Sequence, residues 1–228
     1  MIRLHGWNLD QTEAILLQDE LRQRLVLIWD GRPVRTIGGM DVSFLGDHAR
    51  AAIVVLRYPD LTPLAAVTAE TPLTFPYVSG LLAFREGPAV LAAWEKLPQK
   101  PDLLMFDGHG IAHPRRFGLA SHIGLWLETP AIGVAKSRLY GHHDAVDTHF
   151  GAWSALCDEQ HSEDVIGAAL RTRPGGKPLY VSPGHLIDLE HALAFVLACC
   201  RGRRLPEPTR LAHQASKGAH LPVEVGAN

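Results

Sequence analysis

Two short apolar runs, "LLMF" at 103–106 and "AIGVA" at 131–135, bracket the stretch "GLASHIGLWLE" at 118–128. The runs read as buried strands and the stretch between them as a helix. Strand, helix, strand with both strands apolar throughout is the mark of parallel pairing in a covered sheet, closed by a right-handed crossover. Upstream, "RTIGGMDVSF", "ARAAIVVLRYP" and "LTPLAAVTAETPLTF" are β-like runs divided by turns at Gly46-Asp47 and Pro59-Asp60. Connections that short imply antiparallel neighbours, a three-strand meander.

The remaining elements follow from the same periodicities. Residues 12–29 read as one helix, with Leu16, Leu17, Leu21, Leu25 and Ile28 at roughly helical spacing and Asp30-Gly31 as its stop. "LLAFREGPAVLAAWEKL" is helical in composition, with a break or new start expected at Gly87-Pro88. "IGAALRTRPGGKPLYVSPGH" reads as a hairpin turning at Pro174-Gly175-Gly176, and "HLIDLEHALAFVLACC" as a helix. A basic turn and a shorter helix over about 208–217 follow, and the last ten residues are expected to fray. No repeat, low-complexity tract or linker interrupts the chain, so residues 1–228 read as a single domain. The order is that of a ribonuclease H-like α/β fold, a central mixed sheet of three antiparallel and then parallel strands flanked by helices.

Charge and cysteine usage narrow the setting. The formal net charge of −2 argues weakly against a nucleic-acid partner, but it hides an asymmetry: residues from Ile166 onward carry eight Lys/Arg and four Asp/Glu. The acidic excess therefore lies upstream, so carboxylates that hold a cation and arginines that grip phosphate could occupy different parts of the molecule. An ordinary solvated surface is the alternative. The opening "MIRLHGWNLDQTEA" has no signal-peptide core, and the longest apolar candidate, at 192–200, falls well short of a membrane span. Three cysteines, two of them adjacent (Cys199-Cys200), form neither a disulfide framework nor a CxxC site, which fits a reducing cytoplasm.

Three carboxylates sit in unusual surroundings. Asp107 ends the run Leu103–Phe106 and is followed by Gly108-His109-Gly110. Ligands gather at the carboxyl ends of such strands, and glycines there allow close backbone approach, although a plain turn is the simpler alternative. Asp41 lies inside the first strand, where burial without a partner or cation is costly unless it faces water. Glu86 follows Leu81-Leu82-Ala83-Phe84-Arg85 and either pairs with Arg85 or joins the two aspartates. If the strands of Asp41 and Asp107 are neighbours, the three can meet around Mg²⁺ or Mn²⁺, hard ions that take oxygen ligands and keep waters. Lys136 ends the run at 131–135 and would emerge beside Asp107, as a solvated cap or as an ammonium facing a phosphodiester.

Six stretches then carry a family resemblance: "GGMDVSF", "PYVSGLLAFREGP", "DLLMFDGHGIAHPRRFGLASHIG", "PAIGVAKSRLYG", "GGKPLYVSPGH" and "PEPTRLAHQAS". In order and spacing the chain resembles the endonuclease V family. The resemblance implies a metal-dependent DNA-repair nuclease that recognises deoxyinosine and hydrolyses the second phosphodiester on its 3′ side, leaving 3′-hydroxyl and 5′-phosphate. It implies that Asp41, Glu86 and Asp107 hold Mg²⁺ (Mn²⁺ substituting), that Lys136 assists at the cleaved phosphate, and that His213 acts near the metal water. It also implies that Pro76, Tyr77, Val78 and Gly80 form a wedge, with Ser79 where the family usually has a second proline.

By the same resemblance Leu82 and Leu139 wall a pocket for a flipped base whose backbone wall is Gly108, His109 and Gly110, with His113, Gly118 and Ser121 along the same segment. Arg115, Arg116, Arg138, Arg201, Arg203 and Arg204 are the candidate phosphate contacts, with surface solvation as the alternative for each. His142-His143-Asp144 imitates a metal motif and reads as surface. The expected partner is inosine-containing DNA, bound by a monomer with no membrane association. An inosine-directed ribonuclease and a lesion-binding module without turnover stay open.

Overall fold

The computed structural model describes residues 2–223. One eight-stranded sheet runs through it in the order β3-β2-β1-β4-β5-β8-β7-β6. The strands are β1 (Thr36–Leu45), β2 (His48–Arg57), β3 (Pro63–Pro72), β4 (Leu103–Phe106), β5 (Ala131–Ala135), β6 (Trp153–Cys157), β7 (Val165–Leu170) and β8 (Leu179–His185). The first three form the expected antiparallel meander, and β4 and β5 run parallel to β1. The hairpin β7–β8 then extends the sheet, with β8 antiparallel to β5.

The helices are α1 (Gln11–Leu21), α2 (Leu82–Glu95), α3 (Leu119–Leu127), α4 (Leu189–Ala198) and α5 (Glu207–Ser216). Helices cover both faces, and the strand alternation decides which side chain meets which layer. Ile37 of β1, Leu103 and Met105 of β4, and Ile132 and Val134 of β5 pack with Ala192 and Val196 of α4 and Leu211 and Ala212 of α5. Met40, Leu104 and Phe106 face the other way, onto Val90 and Trp94 of α2 and Ile123 and Trp126 of α3. Each layer buries several large apolar side chains, at roughly 1.5–3 kcal/mol apiece.

Helix α5 reaches β1 because residue 39 is glycine. A Cβ on Gly39 would lie 1.9 Å from the carbonyl oxygen of Pro208, a backbone atom that cannot step aside. The helix therefore lies directly on the strand, and Ser43 Oγ donates to the carbonyl of Ser216 at 2.5 Å to hold its far end.

The structure differs from expectation in four places. Helix α1 stops at Leu21, continues as the 3-10 turn Arg22–Arg24, and gives way to extended chain at Leu25. Val26 then accepts from the Leu186 N–H at 2.6 Å, and the Trp29 N–H reaches Asp188 at 3.2 Å. These long-range bonds, with Trp29 against the core, override the helical spacing of 25–29. The break expected at Gly87-Pro88 is absent: α2 runs through Pro88, held by buried Ala83, Phe84, Ala89, Val90, Ala93 and Trp94. Strand β6, a short and half-exposed edge, gave no recognisable pattern in the sequence. Of the last ten residues, 219–223 are described and Leu221 packs into the core instead of fraying; 224–228 lie outside the described residues.

Gly39→Ala should destabilise the fold by about 1–3 kcal/mol, the usual cost of overpacking. Urea unfolding checks this; an unchanged midpoint would mean that α5 does not bear on β1.

Candidate active site

The register of the parallel strands builds the site. Met40 of β1 pairs with Phe106 of β4, and Phe106 with Gly133 of β5. Asp41 and Asp107 are thus the next residues on adjacent strands. Asp107, one residue past β4, and Lys136, one past β5, continue the alternation towards the α5 side. Lys136 Nζ forms an ion pair with Asp107 Oδ2.

Asp41 is buried and held from α5, accepting from Ser216 Oγ at 2.5 Å with the His213 Nδ1 ring nitrogen 3.3 Å from the same Oδ2. Burial raises its pKa; the Ser216 bond opposes this, while neighbouring Asp107 adds to it. Glu86, buried at the start of α2, is pushed well above the ordinary carboxylate range by burial and then by Asp41 and Asp107. Carboxylates so desolvated and so close disfavour one another's ionised forms unless a cation is present. Ligand atoms of Asp41, Asp107 and His213 lie within 4.8 Å of one another. That is close to the ~4.2 Å separating opposite ligands around a small octahedral ion, so these residues fit a divalent metal. Of the expected trio, Asp41 and Asp107 stand in this tight group together with His213, and Glu86 lines the surrounding cavity. This cavity, about 580 Å³, also meets Phe44, Lys136 and Lys217.

A second cavity of about 310 Å³ shares Asp107 and Lys136 with the first. Of the residues assigned to a base pocket and wedge, Tyr77, Val78, Gly80, Leu82, Gly108, His109, His113, Gly118 and Leu139 line it. Pro76, Gly110 and Ser121 do not. Pro76 is exposed, one residue before Tyr77. A Cβ on Gly110 would lie 2.0 Å from the Pro183 carbonyl oxygen, and the Gly110 N–H donates to Ser182 Oγ at 2.9 Å. Ser121 is fully buried in α3. Tyr77 is 74% exposed, an aromatic ring on the cavity rim.

The histidines of this cavity are neutral by environment. Burial takes His109 and His113 down to about 4, against carbonyl contacts that work the other way. His113 Nε2 lies 2.8 Å from the Gly80 carbonyl while its Nδ1 accepts from the Arg115 N–H at 3.1 Å, which fixes the Nε2–H tautomer. His109 Nε2 lies 3.0 Å from the Ser137 carbonyl.

Sequence reasoning missed Gln18. From α1 its side chain donates to the carbonyls of Gly80 and Phe117 at 3.0 and 2.9 Å and accepts from Arg115 Nε at 2.6 Å. The one signal was spacing: Gln18 falls a turn after Ala14 and a turn before Leu21, the apolar positions that α1 buries. Ser216 was missed for a different reason: one serine near a helix end carries no signal until α5 is docked.

Most of the arginines assigned to phosphate are engaged by the protein. Arg115 serves Gln18 and Gly80, and Arg116 pairs with Asp158 and Asp164 at 2.8 and 3.1 Å. Arg201 donates to the carbonyls of Ala198, Cys200 and Pro59, and Arg204 to those of Lys136, Lys177 and Pro178. Arg138 lines the smaller cavity and Arg203 is exposed. His142 and Asp144 are exposed, and His143 turns to Tyr180, so that triplet is surface.

The sheet order and the carboxylates gathered on its central strands define a ribonuclease H-like protein. A profile described as Endonuclease V matches residues 19–214, and the chain belongs to that family. It is 47% identical over 218 residues to Endonuclease V of Roseiflexus castenholzii, covering 96% of this chain and 97% of that one. The crystal structure of Endonuclease V from Streptomyces avermitilis superposes with a TM-score of 0.87 at 44% identity, covering 93% of each chain. Endonuclease V of Ciona intestinalis, crystallised with a 23mer DNA containing an inosine followed by a ribo-adenosine, gives 0.76 at 29% identity, covering 90% and 95%.

Neutral, buried His113 links stability to pH. Its folded pKa of about 4 lies below the unfolded value of 6.5, so its contribution is complete above pH 6.5 and is lost as pH falls towards 4. The loss is about 3 kcal/mol. Asp41 and Glu86, with raised values, act in the opposite sense, so His113→Gln isolates the term. Its unfolding free energy should vary less between pH 6.5 and 4 than that of the parent; parallel curves would contradict a neutral buried imidazole.

Proposed function

We propose that this chain is a divalent-metal-dependent endonuclease of DNA repair that recognises deoxyinosine and hydrolyses the second phosphodiester 3′ to it. The observation that carries the reading is the pair of adjoining cavities sharing Asp107 and Lys136. One is lined by apolar walls and neutral histidines, the other by buried carboxylates. A base extruded from the helix fits the first while its backbone passes the second. Membership of the family and the inosine-containing DNA bound by the Ciona protein support the substrate.

Asp41, Asp107 and His213, with Glu86 close by, would hold Mg²⁺, or Mn²⁺ in its place. When bound, the ion activates water and neutralises charge on the phosphodiester. The water oxygen bonds to phosphorus, the P–O3′ bond breaks, and the 3′ oxygen takes up a proton. The products are 3′-hydroxyl and 5′-phosphate. Lys136, tied to Asp107 here, would move its ammonium to the cleaved phosphate once Asp107 serves as ligand. Leu82 and Leu139 would flank the base, and Gly108 and His109 would offer polar atoms to its Watson–Crick edge. Tyr77 would fill the vacated stack, offsetting part of the unstacking cost. Arg138 and Arg203 are the arginines best placed for backbone phosphates. We assign this activity to one unit spanning the chain, acting as a monomer in the cytoplasm; no helix among the described residues is long and apolar enough to cross a membrane.

A labelled duplex with one deoxyinosine should be nicked one nucleotide beyond the lesion in Mg²⁺ and Mn²⁺ but not in EDTA. The same strand carrying inosine as a ribonucleotide should be the poorer substrate; the reverse would make the enzyme a ribonuclease. Asp41→Ala and Asp107→Ala should remove cleavage and keep most of the binding. Tight binding by the parent without any cut would identify a lesion-binding module instead.

Tyr77→Ala should weaken binding to inosine in duplex by about tenfold, the scale of one lost base–aromatic stack. The loss on single strands should be smaller. Equal losses on both substrates would count against a wedge.

A further inference from the structure

Residues 39, 41 and 43 lie on one face of β1, and each meets α5. Gly39 receives the Pro208 backbone, Asp41 receives Ser216 and His213, and Ser43 donates to the Ser216 carbonyl. Ser216 is fully buried, and among the described residues its hydroxyl also lies 3.1 Å from the His213 carbonyl a turn earlier. Ser216 Oγ and His213 Nδ1 meet the same oxygen, Oδ2, of Asp41. The same carboxylate lies against that of Asp107, the other strand's acid.

We propose that Ser216 is a positioning residue for the metal centre: by donating to Oδ2 it fixes the rotamer of Asp41 and keeps Oδ1 available to the divalent cation. A carboxylate with two equivalent oxygens can rotate, and a buried donor on one of them selects an orientation before the ion arrives. Hydrogen bonds behind a ligand govern metal affinity in this way, and losing one commonly weakens binding about 10–100-fold. The inference rests on the metal-dependent reading of the site. It goes further by naming a side chain that need not touch metal or DNA.

The anchors of α5 do not depend on the Ser216 side chain. The Pro208–Gly39 contact is made by backbone, and Ser43 bonds to the Ser216 carbonyl. Ser216→Ala is therefore expected to fold.

The test is a Mn²⁺ titration followed by electron paramagnetic resonance on the DNA-free protein, with parent, Asp41→Ala, Ser216→Ala, Ser216→Thr and Ser43→Ala. The parent should bind Mn²⁺ and Asp41→Ala should lose that binding. Ser216→Ala should bind about tenfold more weakly. Nicking by Ser216→Ala should recover most of the parental rate at saturating metal, because the defect lies in loading. Ser216→Thr, which keeps the hydroxyl, should restore affinity. Ser43→Ala, which loosens α5 without touching Asp41, should lower the melting temperature but leave affinity unchanged.

Parental affinity in Ser216→Ala overturns the proposal, as does an equal affinity loss in Ser43→Ala, which would indicate helix docking alone. A Ser216→Thr variant that melts like the parent yet binds as weakly as Ser216→Ala also overturns it. If the parent itself binds no Mn²⁺ at Asp41, the metal-dependent reading fails as well, a result distinguishable from failure of the Ser216 assignment alone.

Discussion

The parallel pairing of β1 with β4 is the constraint on which the rest depends. Its register sets Met40 against Phe106, and so brings Asp41 and Asp107 side by side where β4 ends against the middle of β1. A shift of one residue would turn one of them to the opposite face of the sheet, into the layer of Val90 and Trp94. The register is held by apolar alternation on both faces, so the same burial that stabilises the core also aims the two carboxylates. The cost of crowding desolvated acids appears as the upward pKa shifts of Asp41 and Glu86. A divalent ion relieves that cost, which ties the stability of the site to its chemistry.

Recognition and cleavage are joined at the next step along the chain. Asp107 closes the carboxylate cavity, and Gly108 and His109, which follow it, wall the smaller one. Lys136 borders both from the neighbouring strand. A base seated in one cavity would set the distance at which its own backbone meets the other. Cutting at a fixed offset from a lesion follows from such a rigid relation, with no moving domain required. Gln18 and His113 stiffen the rim by converging on the Gly80 carbonyl beside Tyr77.

Much of this was legible in the sequence, and the physical reasons are uneven. Strands β1 to β5 announced themselves because apolar alternation and continuous apolar runs are local signals bounded by turn residues. Asp107 and Lys136 were legible as charges ending apolar runs and Asp41 as a carboxylate inside a strand, whereas His213 came only from family resemblance. Residues 25–29 looked helical because spacing is local and the bonds that pull them out, to Leu186 and Asp188, span more than 150 positions. Pro88 looked like a break because its local penalty is visible and the packing of α2 that outweighs it is not. For Arg115, Arg116, Arg201 and Arg204 the charge is visible in a sequence, and the carbonyls and carboxylates that engage those guanidinium groups are not. Ser216 illustrates the same limit in a favourable direction, since its role exists only once α5 lies on Gly39.

The central claim is that Asp41 within β1 and Asp107 at the end of β4 hold a divalent ion next to a base-sized pocket. The most direct measurement is the anomalous difference density of crystals soaked in Mn²⁺. The account predicts a peak within coordination distance of Asp41 and Asp107, with His213 and Glu86 around it. A protein that takes up Mn²⁺ only at other surface carboxylates, leaving Asp41 and Asp107 bare, would contradict it.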